Sequence, residues 1–173
     1  MNAVPMVPGV SFVPLQASDE PRLAEFCRRC TDFFELVEGQ PGGAATAAEM
    51  LGPLPEHISG TQRNFAIERA GDLIGVAQLL EGYPGSHEWY VGLLVLLPDF
   101  RGGGIGTDVW RGLRAWIQSQ GAAVVRLIVQ QQNPAARTFW EKQGFTIEEE
   151  LIVRSGTLES PTWKMWLRFS SVT

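Results

Sequence analysis

A strand, a turn and a helix follow one another without interruption in the middle of the chain. The apolar run 93–97 stops at Pro98, passes through the glycine-rich loop 101–104 and opens into a helix at Ile105. The first turn of a helix leaves its backbone N–H groups without partners, and they lie at the positive end of the helix dipole. Such a junction can bind an anion, and a pyrophosphate group is the ligand that fits it best.

Length and composition predict one globular domain over residues 1–173, with its core within 10–169. Apolar residues make up 45% and charged residues 19% of the chain, which excludes a disordered protein. No apolar run approaches a membrane span, and residues 1–10 lack the charged front and apolar centre of a signal peptide. We therefore expect a soluble, cytoplasmic protein with no membrane partner. Cys27 and Cys30 are expected to be structural rather than a redox or zinc pair.

The charge is unevenly distributed along the chain. Residues 1–100 contain five Arg, no Lys and thirteen acids, whereas residues 101–173 contain nine basic residues and six acids. An acidic half beside a basic half suits an enzyme that joins an anionic cofactor to a cationic acceptor, but unevenly scattered surface charge explains it equally well. The chain lacks the lysine-rich footprint of a nucleic-acid-binding protein, so we expect no nucleic-acid partner.

The spacing of apolar residues predicts alternating strands and helices. Ser18 is a candidate N-cap for a helix whose apolar stripe continues to residue 37, before the glycines at 39–43. The turn 70–72 joins two strands as a hairpin, and Asn133 opens a helix that ends at Gly144. The other predicted helices are 44–51 and 105–120, and the predicted strands are 10–15, 63–69, 73–81, 88–97, 124–129, 145–153 and 162–169.

The glycine-rich loop by itself is compatible with more than one ligand. A Walker-type phosphate loop requires Lys and then Ser or Thr after its last glycine, whereas Thr107 and Asp108 follow Gly106 here. A dinucleotide-binding loop requires a third glycine where this chain has Val109, and an acid about twenty residues later, where the chain is apolar. A glycine-rich turn without a ligand is the third alternative, but the strand–loop–helix context favours an anion site.

Two motifs resemble those of one enzyme superfamily. The sequence Arg101-Gly102-Gly103-Gly104-Ile105-Gly106 matches the pattern Arg/Gln-x-x-Gly-x-Gly/Ala, and residues 94–100 resemble the strand and turn that precede it. Residues 133–145 resemble an Asn…Ala…aromatic…Gly-Phe block further along. The chain is thereby similar to the GNAT superfamily of acyl-CoA-dependent N-acyltransferases. The order of the predicted elements fits this resemblance over nearly the whole chain.

The resemblance implies an α/β fold with a mixed, mostly antiparallel sheet, flanked by helices and with a cofactor cleft where strand 4 splays from strand 5. It implies an N-acetyltransferase that transfers acetyl from acetyl-CoA to a primary amine by direct attack in a ternary complex. The backbone of Leu94, Val95 and Leu96 would align the pantetheine arm and polarise the thioester carbonyl, while Asn133 would bond a pantetheine amide. The pyrophosphate would be held at the loop and the helix start, by Arg101, Gly102, Gly103, Gly104, Ile105, Gly106 and Thr107.

The catalytic acid and base are less clearly marked. Many relatives carry a tyrosine that protonates the leaving thiolate, but the position aligned with it is Trp140, for which we predict a packing role. A thiol has a pKa of about 8.5, so the thiolate leaves readily and water suffices as the acid. An alkylamine must lose a proton before it attacks, and Glu81 and Glu88, at the ends of the central strands, are the candidate catalytic residues. Ile128 occupies a position where some relatives have a glutamate.

The acceptor is the least constrained part of this interpretation. Acidic and aromatic residues at 32–38, together with Tyr83, predict a site for an amine with an apolar body, in which Phe34 and Tyr83 are the candidate substrate contacts. The acceptor is either a small-molecule amine or a peptide N-terminus. No metal is expected, and a homodimer is compatible with the sequence. A non-catalytic acyl-CoA-binding regulatory module is the alternative, because the usual tyrosine is missing and the base is not evident.

Overall fold

The computed structural model describes residues 4–170. Its strands are β1 (Ser11–Pro14), β2 (Thr61–Arg69), β3 (Asp72–Glu81), β4 (Glu88–Leu96), β5 (Val124–Gln130), β6 (Thr146–Ser155) and β7 (Leu158–Arg168). Its helices are α1 (Glu20–Arg29), α2 (Thr31–Glu38), α3 (Ala44–Leu51), α4 (Ile105–Ser119) and α5 (Pro134–Lys142), with short 3-10 turns at Ala17–Asp19 and Pro98–Phe100. The predicted strands are confirmed with small differences at their ends, except that β7 begins well before the predicted residue 162.

All seven strands form one sheet in the order β1-β2-β3-β4-β5-β7-β6. Neighbouring strands are antiparallel except for β4 and β5, which run parallel. The predicted hairpin joins β2 to β3, and its turn residues Ala70 and Gly71 both have positive φ, at 52° and 85°, as a two-residue turn requires. The mixed, mostly antiparallel α/β fold expected from the sequence is confirmed.

The helices cover both faces of the sheet and bury two apolar clusters. On one face, α4 packs Val109 and Leu113, which are four residues apart, onto strand residues such as Trp89. On the other face, α1, α2 and α3 pack onto the sheet in a cluster that includes Leu23 and Val95. Among the described residues, none of the helices combines the length and apolarity that crossing a membrane requires.

The unbroken helix predicted from residue 18 to the glycines is wrong, because the chain forms α1 and α2 instead. Cys30, between them, leaves the helical region (φ −102°, ψ 23°). The apolar stripe continues through this turn, since Phe34 is buried in the same cluster as α1, so the stripe gives no sign of the break. The cap also differs: Asp19 rather than Ser18 precedes α1.

Candidate active site

The central strands β4 and β5 separate soon after they meet. Their parallel ladder has three residue pairs, from Glu88 with Val124 to Tyr90 with Arg126. β4 continues to Leu96 without pairing to β5 again. The splayed fourth and fifth strands expected from the sequence are therefore present.

A β-bulge in β4 lies at the point of separation. Leu93 pairs with Gln78 and Val91 with Leu79, so Gly92 has no partner residue on β3. An extra residue in one strand bends that strand and increases its twist. An isolated glycine in an apolar strand is a sequence signal for a bulge, and the prediction of a regular strand at 88–97 missed it.

Beyond the bulge, alternate peptide groups of β4 face the gap. Leu97 donates its N–H to the Ile74 carbonyl at 2.8 Å, and antiparallel strands alternate between residues that bond to the neighbouring strand and residues that bond away from it. Val95 therefore bonds to β3, while the N–H and C=O groups of Leu94 and Leu96 are directed toward β5. Two of the three residues predicted to align an extended ligand thus have outward peptide groups.

The Arg101 side chain fastens the glycine-rich loop to the protein. Its Nε donates to the Leu96 carbonyl at 2.8 Å, and its Nη1 forms an ion pair with Asp32 on α2. The hydrogen bond from Arg101 lowers the pKa of the Asp32 carboxyl below its ordinary value. The guanidinium is therefore held by contacts to other parts of the chain, and the glycine backbone at 102–104 is exposed.

The backbone at the start of α4 presents six consecutive N–H groups that donate to no residue within 4–170: those of Gly102, Gly103, Gly104, Ile105, Gly106 and Thr107. The first helical hydrogen bond runs from the Asp108 N–H to the Gly104 carbonyl at 3.1 Å. Gly102 and Gly104 have φ of 78° and 87°, a conformation that residues with a side chain rarely adopt. A Cβ at any of the three loop glycines would meet no atom within 4 Å. The six N–H groups thus have no partner within 4–170, the loop glycines are open to solvent, and the donors are available to an anion.

Helix α5 forms another wall of the gap. The Asn133 Oδ1 caps this helix by accepting the Ala136 N–H at 3.2 Å, and both residues line the space between β4 and β5. Trp140 is buried and packs edge-on against Trp110 and Phe145, with ring centroids 5.0 and 5.1 Å apart. The packing role predicted for Trp140 is confirmed by these contacts.

Two cavities meet where the strands separate. The first, which we call the cleft, has a volume of about 170 Å³ and lies between β4 and β5, with α2 and α5 beside it. The second, which we call the outer cavity, has a volume of about 540 Å³ and extends from the loop after α3 across the sheet to β6. Tyr90, Gly92 and Ile128 line both. The two cavities are therefore adjacent at these three residues.

The two predicted catalytic carboxylates are not brought together. Arg63 binds Glu81 at 2.7 Å, and the neighbours of Arg63 on β2 line the outer cavity. Because side chains alternate along a strand, Arg63 and Glu81 lie on the opposite face of the sheet, which corrects the prediction for Glu81. Glu88 forms an ion pair with Arg126, a residue in the wall of the outer cavity, without lining either cavity itself.

The two predicted substrate contacts have different positions. Phe34 is 1% exposed and packs edge-on against Phe33 in the core. The prediction for Phe34 is therefore wrong, because α2 turns this ring toward α1 and leaves Phe33 to line the cleft. Tyr83 lines the outer cavity and packs edge-on against Tyr90, with ring centroids 5.9 Å apart.

Two titratable residues at the cavities were not singled out from the sequence, although Glu38 lies in the stretch 32–38 predicted to recognise the acceptor. Glu38, at the end of α2, lines the cleft, and burial, reinforced by Glu49, raises the pKa of its carboxyl. No Lys, Arg or His within 4–170 forms an ion pair with it. Burial also raises the pKa of the Tyr90 hydroxyl, which therefore stays protonated. The approach of Glu38 to the gap depends on the turn at Cys30, which the sequence pattern does not reveal.

The sequence and the structure both resemble known acetyltransferases. The model of the acetyltransferase (GNAT) family matches residues 30–145. The structure is similar to an acetyltransferase from Thermus thermophilus, with 22% identity, a TM-score of 0.73 and coverage of 93% of this chain and 99% of that one. Two further neighbours are the ribosomal-protein-S18-alanine N-acetyltransferase from Escherichia coli (18% identity, TM-score 0.66, 95% and 96% covered) and the spermidine N-acetyltransferase from Vibrio cholerae in complex with CoA and spermine (20%, 0.67, 92% and 95%). The sequence matches no curated protein at a significant level.

These three neighbours are at most 22% identical to the chain, so they establish its fold alone. The family match covers more than half of the chain and includes β4, the glycine-rich loop with its free N–H groups, and α5. The uncovered N–H groups fit a pyrophosphate, and the outward peptide groups of β4 fit an extended pantetheine arm. The chain therefore belongs to the acetyltransferase (GNAT) family and is an acyltransferase that uses an acyl-CoA donor.

Proposed function

We propose that the protein transfers an acetyl group from acetyl-CoA to a primary amine by direct attack within a ternary complex. The observation that carries this proposal is the meeting of the cleft and the outer cavity at Tyr90, Gly92 and Ile128. A donor arm in the cleft and an amine in the outer cavity would bring the thioester carbon and the amine nitrogen together at this point. Neither substrate has to pass through the site of the other.

In this proposal the chain holds the donor mainly with its backbone. The N–H groups from Gly102 to Thr107 bind the diphosphate, and the dipole of α4 adds to the attraction. The peptide group of Leu94 and the N–H group of Leu96 bond the extended arm as a neighbouring strand would, and the Asn133 amide bonds it from the start of α5. The Leu94 N–H donates to the thioester oxygen as negative charge develops there. The donor supplies an activated acyl group: the new C–N bond forms, the C–S bond breaks and the thiolate leaves.

The two cysteines support direct attack over transfer through the enzyme. Cys27, on α1, and Cys30, directly after it, are both fully buried, and neither lines the cleft or the outer cavity. Burial raises the pKa of the Cys27 thiol to about 12 and raises that of the Cys30 thiol as well. Neither side chain is a thiolate at neutral pH, so neither is suited to carry the acetyl group.

We assign the proton lost by the amine to Glu38, directly or through a water molecule. This carboxyl lines the cleft and has no cation partner within 4–170, and its raised pKa makes it a stronger base than an exposed carboxylate. Glu88, in contrast, is held by Arg126. We give Glu88 a positioning role, because its ion pair fixes a guanidinium in the wall of the outer cavity.

Glu38→Gln is expected to lower kcat/KM about 100-fold and to remove the acid limb of its pH profile. In the wild type this limb should lie above the ordinary carboxylate range, since burial raises the pKa of Glu38 and activity is lost as the pH falls through that value. Glu35→Gln, on the exposed side of the same helix, is the matched control and should keep both the rate and the limb. An acid limb that is unchanged in Glu38→Gln would contradict the assignment.

Release of free CoA with a panel of amines tests the proposed function. Spermidine and a peptide with an N-terminal alanine, the acceptors named for two neighbours, belong in the panel beside simple alkyl and aromatic amines. We expect acetyl-CoA to raise the Tm, at least one amine to release CoA, and the protein incubated with acetyl-CoA alone to keep its mass. Stabilisation without release by any amine would favour a non-catalytic acyl-CoA-binding module. Stabilisation by NAD and not by CoA would contradict the donor site.

A further inference from the structure

The walls of the outer cavity are mostly apolar. Ile58 comes from the loop after α3, Leu80 from β3, Ile128 from β5, and Leu151 and Val153 from β6. The volume of about 540 Å³ falls in the range of sites for small organic molecules. An occupant of this cavity would bury apolar surface over most of its length.

The charged residues at the cavity are all engaged in ion pairs with one another. Arg126 contacts Glu88 and also Glu148, with 3.0 Å between its Nε and the Glu148 Oε2. Lys164 contacts Glu149 at 2.9 Å and Glu148 at 3.6 Å. Each of the three carboxylates therefore has a cation partner already. A second positive centre on a ligand would have to compete with an arginine or a lysine for any of them.

Two amide side chains supply uncharged acceptors. Gln78 and Asn64 line the cavity, and their side-chain NH₂ groups donate to the Met50 carbonyl at 3.0 and 3.4 Å. Because a carbonyl can only accept a hydrogen bond, each side chain must direct its NH₂ group toward α3. The amide oxygen of each side chain is then left without a partner in these contacts. No donor within 4–170 bonds to either oxygen.

An aromatic pair completes the inner end of the cavity. Tyr83 and Tyr90 lie edge to face, with their ring planes at 90°, and Tyr90 also lines the cleft. Ring faces and neutral oxygens attract a single ammonium without demanding a carboxylate. The polar features that suit an amine group are thus grouped near the proposed point of transfer, and the apolar walls extend away from it.

We propose that the acceptor is a small monoamine with an apolar body, whose single amino group lies near Gln78, Asn64 and Tyr90 while its body packs on Leu151 and its apolar neighbours. The inference rests on the proposed function and specifies its acceptor. A polyamine would place a second ammonium against apolar walls with no free carboxylate. An amino acid would place its carboxylate near the two amide oxygens, which repel it.

Four amines of graded structure test this acceptor class in the CoA-release assay. They are 2-phenylethylamine, phenylalanine, phenylalaninamide and spermidine. Relative to 2-phenylethylamine, phenylalanine adds a carboxylate, phenylalaninamide adds an uncharged amide, and spermidine replaces the apolar body by a chain with further ammonium groups. We expect kcat/KM for 2-phenylethylamine to exceed that for each of the others about tenfold or more. Preference for spermidine or phenylalanine would overturn the proposal, and preference for phenylalaninamide would identify a peptide N-terminus instead.

The same amines distinguish this inference from the proposed function itself. If no amine releases CoA, acetyl transfer fails, but binding to the CoA-loaded protein by titration calorimetry still tests the acceptor class. Tighter binding of 2-phenylethylamine than of spermidine would support it, and the reverse order would overturn it.

A single charge placed in the cavity wall provides a second test. Leu151→Glu adds a further carboxylate to the outer cavity, in excess of its cations, and should raise the kcat/KM ratio of spermidine to 2-phenylethylamine about tenfold. Ile152→Glu, the next residue on β6, makes the same charge change on the opposite face, where Ile152 is 62% exposed. It should leave the ratio unchanged. If Leu151→Glu also leaves the ratio unchanged, the outer cavity does not hold the acceptor.

Discussion

Replacing Gly104 by aspartate is expected to weaken acetyl-CoA binding more than about 100-fold while the protein stays folded. The new carboxylate would lie at the N-cap of α4, among the N–H groups assigned to the diphosphate. A pair of like charges about 4 Å apart near a protein surface repels by about 4 kcal/mol, which corresponds to nearly three orders of magnitude in affinity. Aspartate adopts a positive φ more readily than most side chains do, and its charge is favourable at a helix N-terminus, so the strain at this position is limited.

Gly121→Asp is the matched control for this substitution. Gly121 has φ of 84° and Gly104 has φ of 87°, and neither has an atom within 4 Å of a built Cβ. The two variants therefore share the backbone strain and the added charge, but Gly121 follows the other end of α4. Titration calorimetry with acetyl-CoA should give a wild-type Kd for Gly121→Asp. Equal weakening in both variants, or none in Gly104→Asp, would contradict the diphosphate site.

Leu94→Pro is expected to lower kcat about 100-fold or more, because it removes the donor assigned to the thioester oxygen. Proline lacks an N–H group and normally disrupts a central strand. At Leu94 the N–H faces the gap rather than β3, so the ladder between β3 and β4 keeps its hydrogen bonds. The Kd for acetyl-CoA should change much less than kcat, since the diphosphate contacts lie elsewhere.

Leu94→Ala separates the role of the N–H group from that of the side chain. Alanine shortens a side chain that packs against the core but keeps the N–H group. Steady-state rates should therefore fall only modestly in Leu94→Ala. Thermal unfolding of both variants shows whether the sheet is intact. Similar kcat values in folded Leu94→Pro and Leu94→Ala would mean that this N–H group does not act in the reaction.

The parts of the site that were predictable from sequence are those made by neighbouring residues. The strand, the turn at Pro98, the loop glycines and α4 are continuous in the chain, so the free N–H groups at 102–107 follow from local geometry alone. The cap at Asn133 is local in the same way. Such features depend on backbone conformation, which a short stretch of sequence specifies.

The residues that were misjudged depend on contacts between distant segments. Glu81 is at the end of its strand as expected, but its pairing with Arg63 places it on the face away from the outer cavity. A bulge shifts the alternation of side chains by one, so the face of a residue cannot be read by counting along the chain. Phe34 and Glu38 were misjudged for a similar reason. The turn at Cys30 determines which side of α2 faces the gap, so Phe34 is buried in the core while Glu38 lines the cleft.

Because β4 and β5 diverge, the middle of the sheet lacks hydrogen bonds between two neighbouring strands over part of their length. Beyond Tyr90, the far half of β4 is braced only by β3, and the far half of β5 only by β7. In most sheets the innermost strands are the best protected against local opening. Here each of the two innermost strands lacks one hydrogen-bonded neighbour over its far half, so mutations that let β4 and β5 pair along their full length would raise thermal stability and also close the cleft.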